Sequence, residues 1–457
     1  MLKIVVRSSS DASAVRAMVE RFYPSWELEV LSMHGARSPG EMLRELMDIV
    51  DDEHFFVVML GREDAEAAEK LRIDAPPNTV VHVVPRARVR NARLDMLAWE
   101  FEVARARIRL GASWCEEKES YVFSPKPSGL SLEAYEYDPV HDQFLVLGEG
   151  SAKLLSRVLG MQAREGMLVV RGAGGEHLVY SGPRVVARLV IPDEGLRVEC
   201  RLLRREARGV SIERLVEANQ RVLDMFEHIS LRFLKREVEK YDNIVVTWSG
   251  GKDSTAALLL TLKLLPRNRV TVIHADTGLE FPESLEYVEE VSRKLGITPV
   301  EVKADVAGEL ESGRKPLPTH EDRWCRDMKV EAIEKKIREI AREGSTLVVV
   351  GDRDAESEAR AKRPPIREGG GVKYIAPLRH WGTAHVQLYL LREGVGLNKL
   401  YLNGFYRIGC FICPSLRSWE LLAMKVNGVR ESVCSMRVFR EFLESKKALE
   451  VLEEDQH

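Results

Sequence analysis

The sequence predicts an α/β protein in which a parallel-sheet domain follows a small α/β domain and a β-barrel. Three observations predict it. Apolar runs at 4–6, 55–60 and 80–84, and again at 244–247, 270–275 and 346–350, have strand length and alternate with helical stretches, as parallel strands joined by crossover helices do. Between these blocks, residues 144–191 carry four short strands separated by glycines, the pattern of a small barrel. The third is one stretch, Ile244-Val245-Val246-Thr247-Trp248-Ser249-Gly250-Gly251-Lys252-Asp253-Ser254-Thr255, which passes from a buried strand through a Gly-rich turn into a helix.

Residues 1–130 are expected to form the small α/β domain. Strands at 4–6, 28–31, 55–60 and 80–84 alternate with helices at 12–22, 39–50 and 63–71, and Leu94–Leu110 is a further amphipathic helix. Arg86, Arg88, Arg90, Arg93, Arg105, Arg107 and Arg109 surround that helix and read as a solvated face rather than a nucleic-acid patch. No glycine fingerprint or catalytic cluster gives this domain a role. Residues 135–205 are expected to form the barrel, with strands at 144–148, 164–170, 177–182 and 185–191. Apolar residues at helical spacing then mark 206–240 as a helical linker, and 241–457 as the catalytic domain.

Composition narrows the class. The chain has 457 residues, 30% of them charged and 45% hydrophobic, with a net charge of −3, which leaves no global field for nucleic acid. No apolar run approaches the ~20 residues of a membrane span. The opening strand at Leu2 lacks the apolar core of a signal peptide, so a cytoplasmic protein without a membrane partner is expected. Six cysteines there suggest metal or redox chemistry before disulfides. Scarce Gln (5) and Asn (8) beside abundant Glu, Arg and Lys hint at adaptation to heat.

The Gly-rich turn carries the chemistry. Gly250 and Gly251 let backbone N–H groups close around an anion, and the helix start adds partial positive charge. Ser249, Ser254 and Thr255 can donate hydrogen bonds, Lys252 can place a point charge on phosphate, and Asp253 stands beside it. The spacing is not that of a Walker A loop. A second strand ends in Asp276-Thr277-Gly278, where Asp276 can accept from a ribose hydroxyl or hold Mg²⁺. A third ends in Gly351-Asp352-Arg353-Asp354-Ala355-Glu356-Ser357, with Arg360 one turn on. Arg353 and Arg360 are expected to grip phosphate or sulfate, with Glu356 holding one guanidinium.

Cys325 and Cys410-Phe411-Ile412-Cys413 can hold zinc or an iron–sulfur cluster, with Cys434 as fourth member. Cys115 and Cys200 read as buried small apolar residues.

Ser249-Gly250-Gly251-Lys252-Asp253-Ser254 resembles the PP-loop of the ATP-pyrophosphatase superfamily. Together with 276–283, Arg323-Trp324-Cys325, 351–357, Arg360, Pro377–Trp381, Asn398–Tyr401, Gly404-Phe405 and 407–414, it follows the motif order of the phosphoadenylyl-sulfate (PAPS) reductase family. The resemblance covers about 215 residues. It implies the adenine nucleotide alpha-hydrolase-like fold and a bound PAPS, its unphosphorylated relative APS, or ATP. It also implies a [4Fe–4S] cluster held by a Cys-Cys pair and a Cys-x-x-Cys. The segment at 164–182 resembles a PUA domain, a barrel that commonly binds RNA, which suggests an archaeal-type architecture. Two departures stand out: Arg326 follows Cys325, and the tail, Leu449 to His457, is not the Glu-Cys-Gly nucleophile motif.

Three functions follow. The first is a sulfonucleotide reductase, with Cys434 as nucleophile and a thioredoxin-like reductant releasing sulfite. The second is an enzyme that adenylates RNA and inserts sulfur, as in tRNA thiolation. The third is a non-enzymatic nucleotide or redox sensor, against which the complete loop with Lys252 and Asp253 argues.

Overall fold

The first sheet of the computed structural model, which describes residues 1–453, has strands Glu29–Ser32, Leu2–Val6, Phe55–Leu60 and Thr79–Val83 in spatial order, all parallel. Phe55–Leu60 is buried at every position, as a central parallel strand covered on both faces must be. Helices Ser9–Phe22, Pro39–Ile49 and Ala65–Asp74 supply the crossovers. Ser38 and Glu41 close a reciprocal cap before Pro39, which explains the sharp start of the second.

Strands Asp142–Leu145, Leu168–Arg171, Glu176–Ser181, Arg184–Val190 and Glu199–Leu202 form an antiparallel sheet in chain order. Helix Glu149–Leu159 and the fifth strand were not legible in the glycine-punctuated pattern. Among the described residues the first and last of these strands do not pair with each other, so the hydrogen bonding is that of an open sheet.

The third sheet runs Val300–Lys303, Val270–Asp276, Asn243–Thr247, Thr346–Val349, Val372–Ile375, Ile366–Gly369, with only the last strand antiparallel. Chain order reverses between Asn243–Thr247 and Thr346–Val349. The crevice outside their carboxyl ends is where open α/β sheets receive ligands.

Ile212–Val238 is a single helix of 27 residues, started by the Ser211 side chain. Far from lying free between domains, it is buried along one face. Phe226 meets Phe55 of the first sheet (ring centroids 4.9 Å), Trp381 (5.6 Å) and His385 (4.2 Å, stacked). One apolar core therefore runs from Ile4 and Phe55 through Phe226 to Val246 and Ile375. A second joins Val179 and Leu189 of the antiparallel sheet to Phe281, Trp324, Phe411 and Phe439. Cys115 and Cys200 are half-buried rather than buried. Among the described residues, no helix is long and apolar enough to cross a membrane.

The arginines around Leu94–Leu110 form the expected solvated face only in part: Arg86 and Arg93 are exposed and Arg88, Arg90 and Arg107 partly so. Arg105 and Arg109 are buried, because the face of the helix that carries them packs against the rest of the chain. Arg105 binds Asp354 at 2.8 Å, and Arg109 donates to the carbonyl of His141.

Candidate functional site

Asn243–Thr247 ends under Trp248, and helix Lys252–Leu264 begins three residues after Ser249. Gly250 makes the turn with φ of +72°, a left-handed conformation open chiefly to glycine. Ser249 is exposed; its N–H donates to Ser254 Oγ at 3.2 Å. Lys252 is buried, its ammonium 3.0 Å from Asp253 Oδ2 and 5.1 Å from the Tyr401 ring centroid. Thr255 differs from its expected role. It is wholly buried, donating to the Gly251 carbonyl (2.9 Å) and accepting from Trp248 Nε1 (2.9 Å), so its hydroxyl braces the loop from behind.

After Val270–Asp276 the chain turns through Gly278, φ +75°, with Asp276 Oδ1 accepting from the Gly278 N–H at 2.8 Å. Thr277 is likewise occupied: its N–H and hydroxyl donate to Glu280 at 3.0 and 2.8 Å. Glu280 makes a strand-like bridge to Cys410, and Phe411 N–H donates to the Leu279 carbonyl at 3.0 Å. The turn after Val270–Asp276 and the Cys-x-x-Cys turn are thus one hydrogen-bonded unit.

Cys325, at the start of helix Trp324–Ala341, and Cys410 and Cys413 pack against the same core. The Cys410 and Cys413 thiols influence each other: the neighbouring Cys410 lowers the Cys413 thiol below its ordinary range, with help from Arg407 and Arg323 against burial, while Cys413 and burial push Cys410 up. Burial, with the Cys413 charge nearby, pushes Cys325 up as well. Cys434 stands apart, on Glu431–Cys434, its Sγ 3.5 Å from the Val429 carbonyl. Among the described residues, no three His, Cys, Asp or Glu side chains converge as ligands of a single metal ion.

The third loop overturns an expectation. Arg353 is 1% exposed, and its guanidinium is taken up by protein partners. Its Nε donates to Asp253 Oδ1 (2.6 Å), one terminal nitrogen reaches Asp142 (3.4 Å) and the Trp381 carbonyl (3.2 Å), and the other donates to Thr383 Oγ1 (2.9 Å). Burial is the largest influence and works against both carboxylates, but Arg353 together with the other cations nearby (Arg171 and Arg109 for Asp142, Lys252 for Asp253) outweighs it, and both stay below the ordinary carboxylate range. Glu356 accepts from the Arg353 N–H at 2.9 Å and pairs with Arg360. Ser357 caps the next short helix, accepting from the Arg360 N–H. Arg360, Arg363 and Arg367, all partly exposed, gather around the single carboxylate of Asp352 at 3.2–3.5 Å. This is where excess positive charge reaches solvent beside the loop.

Residues 243–416 match the family model of the phosphoadenosine phosphosulfate reductase domain. They are a domain of that family. An uncharacterized protein of Methanocaldococcus jannaschii is 39% identical over 218 residues, 46% of this chain and 44% of its own. The adenosine 5′-phosphosulfate reductase of Deinococcus radiodurans is 30% identical over 160 residues, 34% of this chain and 61% of its own. The chain thus spans about half the length of the curated relatives it matches. The crystal structure of phosphoadenylyl-sulfate reductase from Candida auris matches at 23% identity and a TM-score of 0.34, covering 42% of this chain and 95% of that one.

Two residues that shape the reductase-family domain lie outside its 243–416 span. Asp142 binds Arg353 and Arg105 binds Asp354. Neither carries a local signal: one sits in a short strand, the other in an arginine-rich helix. Arg363 and Arg367 follow the recognised motif and were likewise missed.

Gly351 supplies a direct test of loop packing. A Cβ there would stand 2.7–2.8 Å from backbone atoms of Asp253 and Ser254. Gly351→Ala is expected to force the Gly-rich loop out of place, costing about 1–3 kcal/mol by overpacking. Thermal melting and nucleotide titration should both fall; an unchanged affinity would show that the loop tolerates the shift.

Proposed function

We propose that the 249–254 loop binds an adenine sulfonucleotide and that the chain reduces it to sulfite. The observation that carries this reading is the run 276–286, which ties nucleotide-facing groups and cysteines to one element. Asp276 uses Oδ1 in its own turn, which leaves Oδ2 suited to a ribose hydroxyl or Mg²⁺. Glu280 bridges to Cys410, and Glu283 and Glu286 hold Arg430, just before Cys434, at 3.0 and 2.6 Å.

In this reading Lys252 and the loop N–H groups hold phosphate oxygens, and Arg360, Arg363 and Arg367 offer forked contacts to the anionic end. Cys434 is the nucleophile. Its thiolate attacks the sulfonucleotide sulfur, an S–S bond forms, and the sulfur–oxygen bond breaks as the nucleoside phosphate leaves. A thiol of a thioredoxin-like reductant then attacks the cysteine sulfur, and sulfite departs with the electron pair, leaving a disulfide. Cys325, Cys410 and Cys413, three soft donors with Cys413 already held toward thiolate, suit an iron–sulfur cluster. When bound, such a cluster supplies thiolate-ligated iron.

Anaerobic protein incubated with ³⁵S-labelled PAPS or APS and a dithiol is expected to release labelled sulfite, and Cys434→Ser to stop release while nucleotide still binds. No sulfite from either compound would sink the reading. One observation favours a second. Arg188 and Arg201 lie directly opposite each other on the exposed face of the antiparallel sheet, with no ion pair among the described residues. Like charges so placed are unfavourable unless an anion lies across them, which suits RNA held for ATP-dependent sulfur insertion. Thiolated tRNA formed from ATP and a sulfide donor, without sulfite from PAPS or APS, would select it.

A further inference from the structure

We infer that Asp142, which lies outside the reductase-family domain, is a positioning residue for the nucleotide site and acts on Lys252 through Arg353 and Asp253. The inference rests on the nucleotide-binding reading of the 249–254 loop.

Asp142 has no exposed surface. Its Oδ1 accepts from the Thr383 N–H (3.0 Å), and its Oδ2 from Thr383 Oγ1 (2.7 Å), Arg353 (3.4 Å) and Tyr406 Oη (3.5 Å). Arg353 passes the link to Asp253 Oδ1 at 2.6 Å, and Asp253 Oδ2 meets the Lys252 ammonium at 3.0 Å. Four charges of alternating sign therefore stand in a row, from the antiparallel sheet to the loop that faces the crevice.

Asp253 is the shared member. While Arg353 holds one of its oxygens, only the other serves Lys252, and the ammonium keeps charge to offer an anion. Withdrawal of Arg353 would leave both oxygens to Lys252 and neutralise it. Asp142 prevents that withdrawal: with Thr383 it fixes the far side of the guanidinium, which is shut off from solvent. Asn at this position would present an N–H₂ group to Arg353, donor against donor, and drive the guanidinium away.

Titrations of ATP, APS and PAPS test this on the full chain. Asp142→Asn is expected to weaken binding about tenfold, the scale of one charge-assisted hydrogen bond. Asp142→Glu should restore most of the loss. In a Lys252→Ala background Asp142→Asn should add little, because the route ends at that ammonium. A merely structural role predicts the opposite, a further full loss in that background, and would overturn the inference. Wild-type affinity in Asp142→Asn while Lys252→Ala loses binding would overturn it alone; unchanged affinity in Lys252→Ala would remove the nucleotide reading with it. Should Asp142→Asn fail to fold, Asp142→Asn/Arg353→Met keeps the interior neutral and carries the same expected loss, and wild-type affinity there overturns the inference equally.

Discussion

Arg353→Ala is expected to remove about 3–5 kcal/mol of folding stability, because it takes from the buried Asp142 its nearest cation and leaves Asp253 with Lys252 alone. Asp142 is wholly buried and Asp253 partly so, and both are held below the ordinary carboxylate range, against the larger single effect of burial, by several cations of which Arg353 is the strongest. The sign with pH follows. Groups with depressed values stabilise the fold fully above about pH 3.9, the unfolded aspartate value, and lose that contribution as pH falls through the folded value. In the variant Asp142 lacks its nearest cation and Asp253 keeps only Lys252, so both protonate more readily than in the wild type. The stability gap between wild type and variant should therefore be widest near neutrality and narrow in acid. Denaturant unfolding at several pH values would show it. A loss below about 1 kcal/mol at pH 7 would mean that Arg353 is replaceable by water, contrary to its 1% exposure.

The second large effect separates the cysteines. Cys410→Ser and Cys413→Ser are each expected to lose the iron, sulfide and visible absorbance of anaerobically purified protein. These two cysteines share one turn, closed by the Cys413 N–H on the Cys410 carbonyl, and pack with Cys325 against one core. Cys434→Ser should keep all three signals and still lose turnover, since its thiol bonds to the Val429 carbonyl and stands apart from the other three. Equal iron loss in Cys434→Ser would make it the fourth ligand. Stoichiometric zinc with no iron or sulfide in the wild type would refute the cluster.

The sequence by itself determined the parts whose geometry is local. The passage from 244 to 264 is strand, turn and helix because a buried apolar run meets a glycine able to take φ of +72° and then a run of good helix formers. The turns at Gly278 and Cys410–Cys413 are equally local, and so is their order along a parallel sheet. Which side chains face a ligand was not local. Arg353 and Thr255 looked like donors to an anion, yet each spends its hydrogen bonds inside the protein. Only the tertiary structure brought Asp142 to Arg353 across 211 residues, and Arg105 to Asp354 across 249. A charged side chain's partner is set by which elements pack around it and exclude water. Here one core from the first sheet through Ile212–Val238 to the third decides that, and residue spacing along the chain does not encode it.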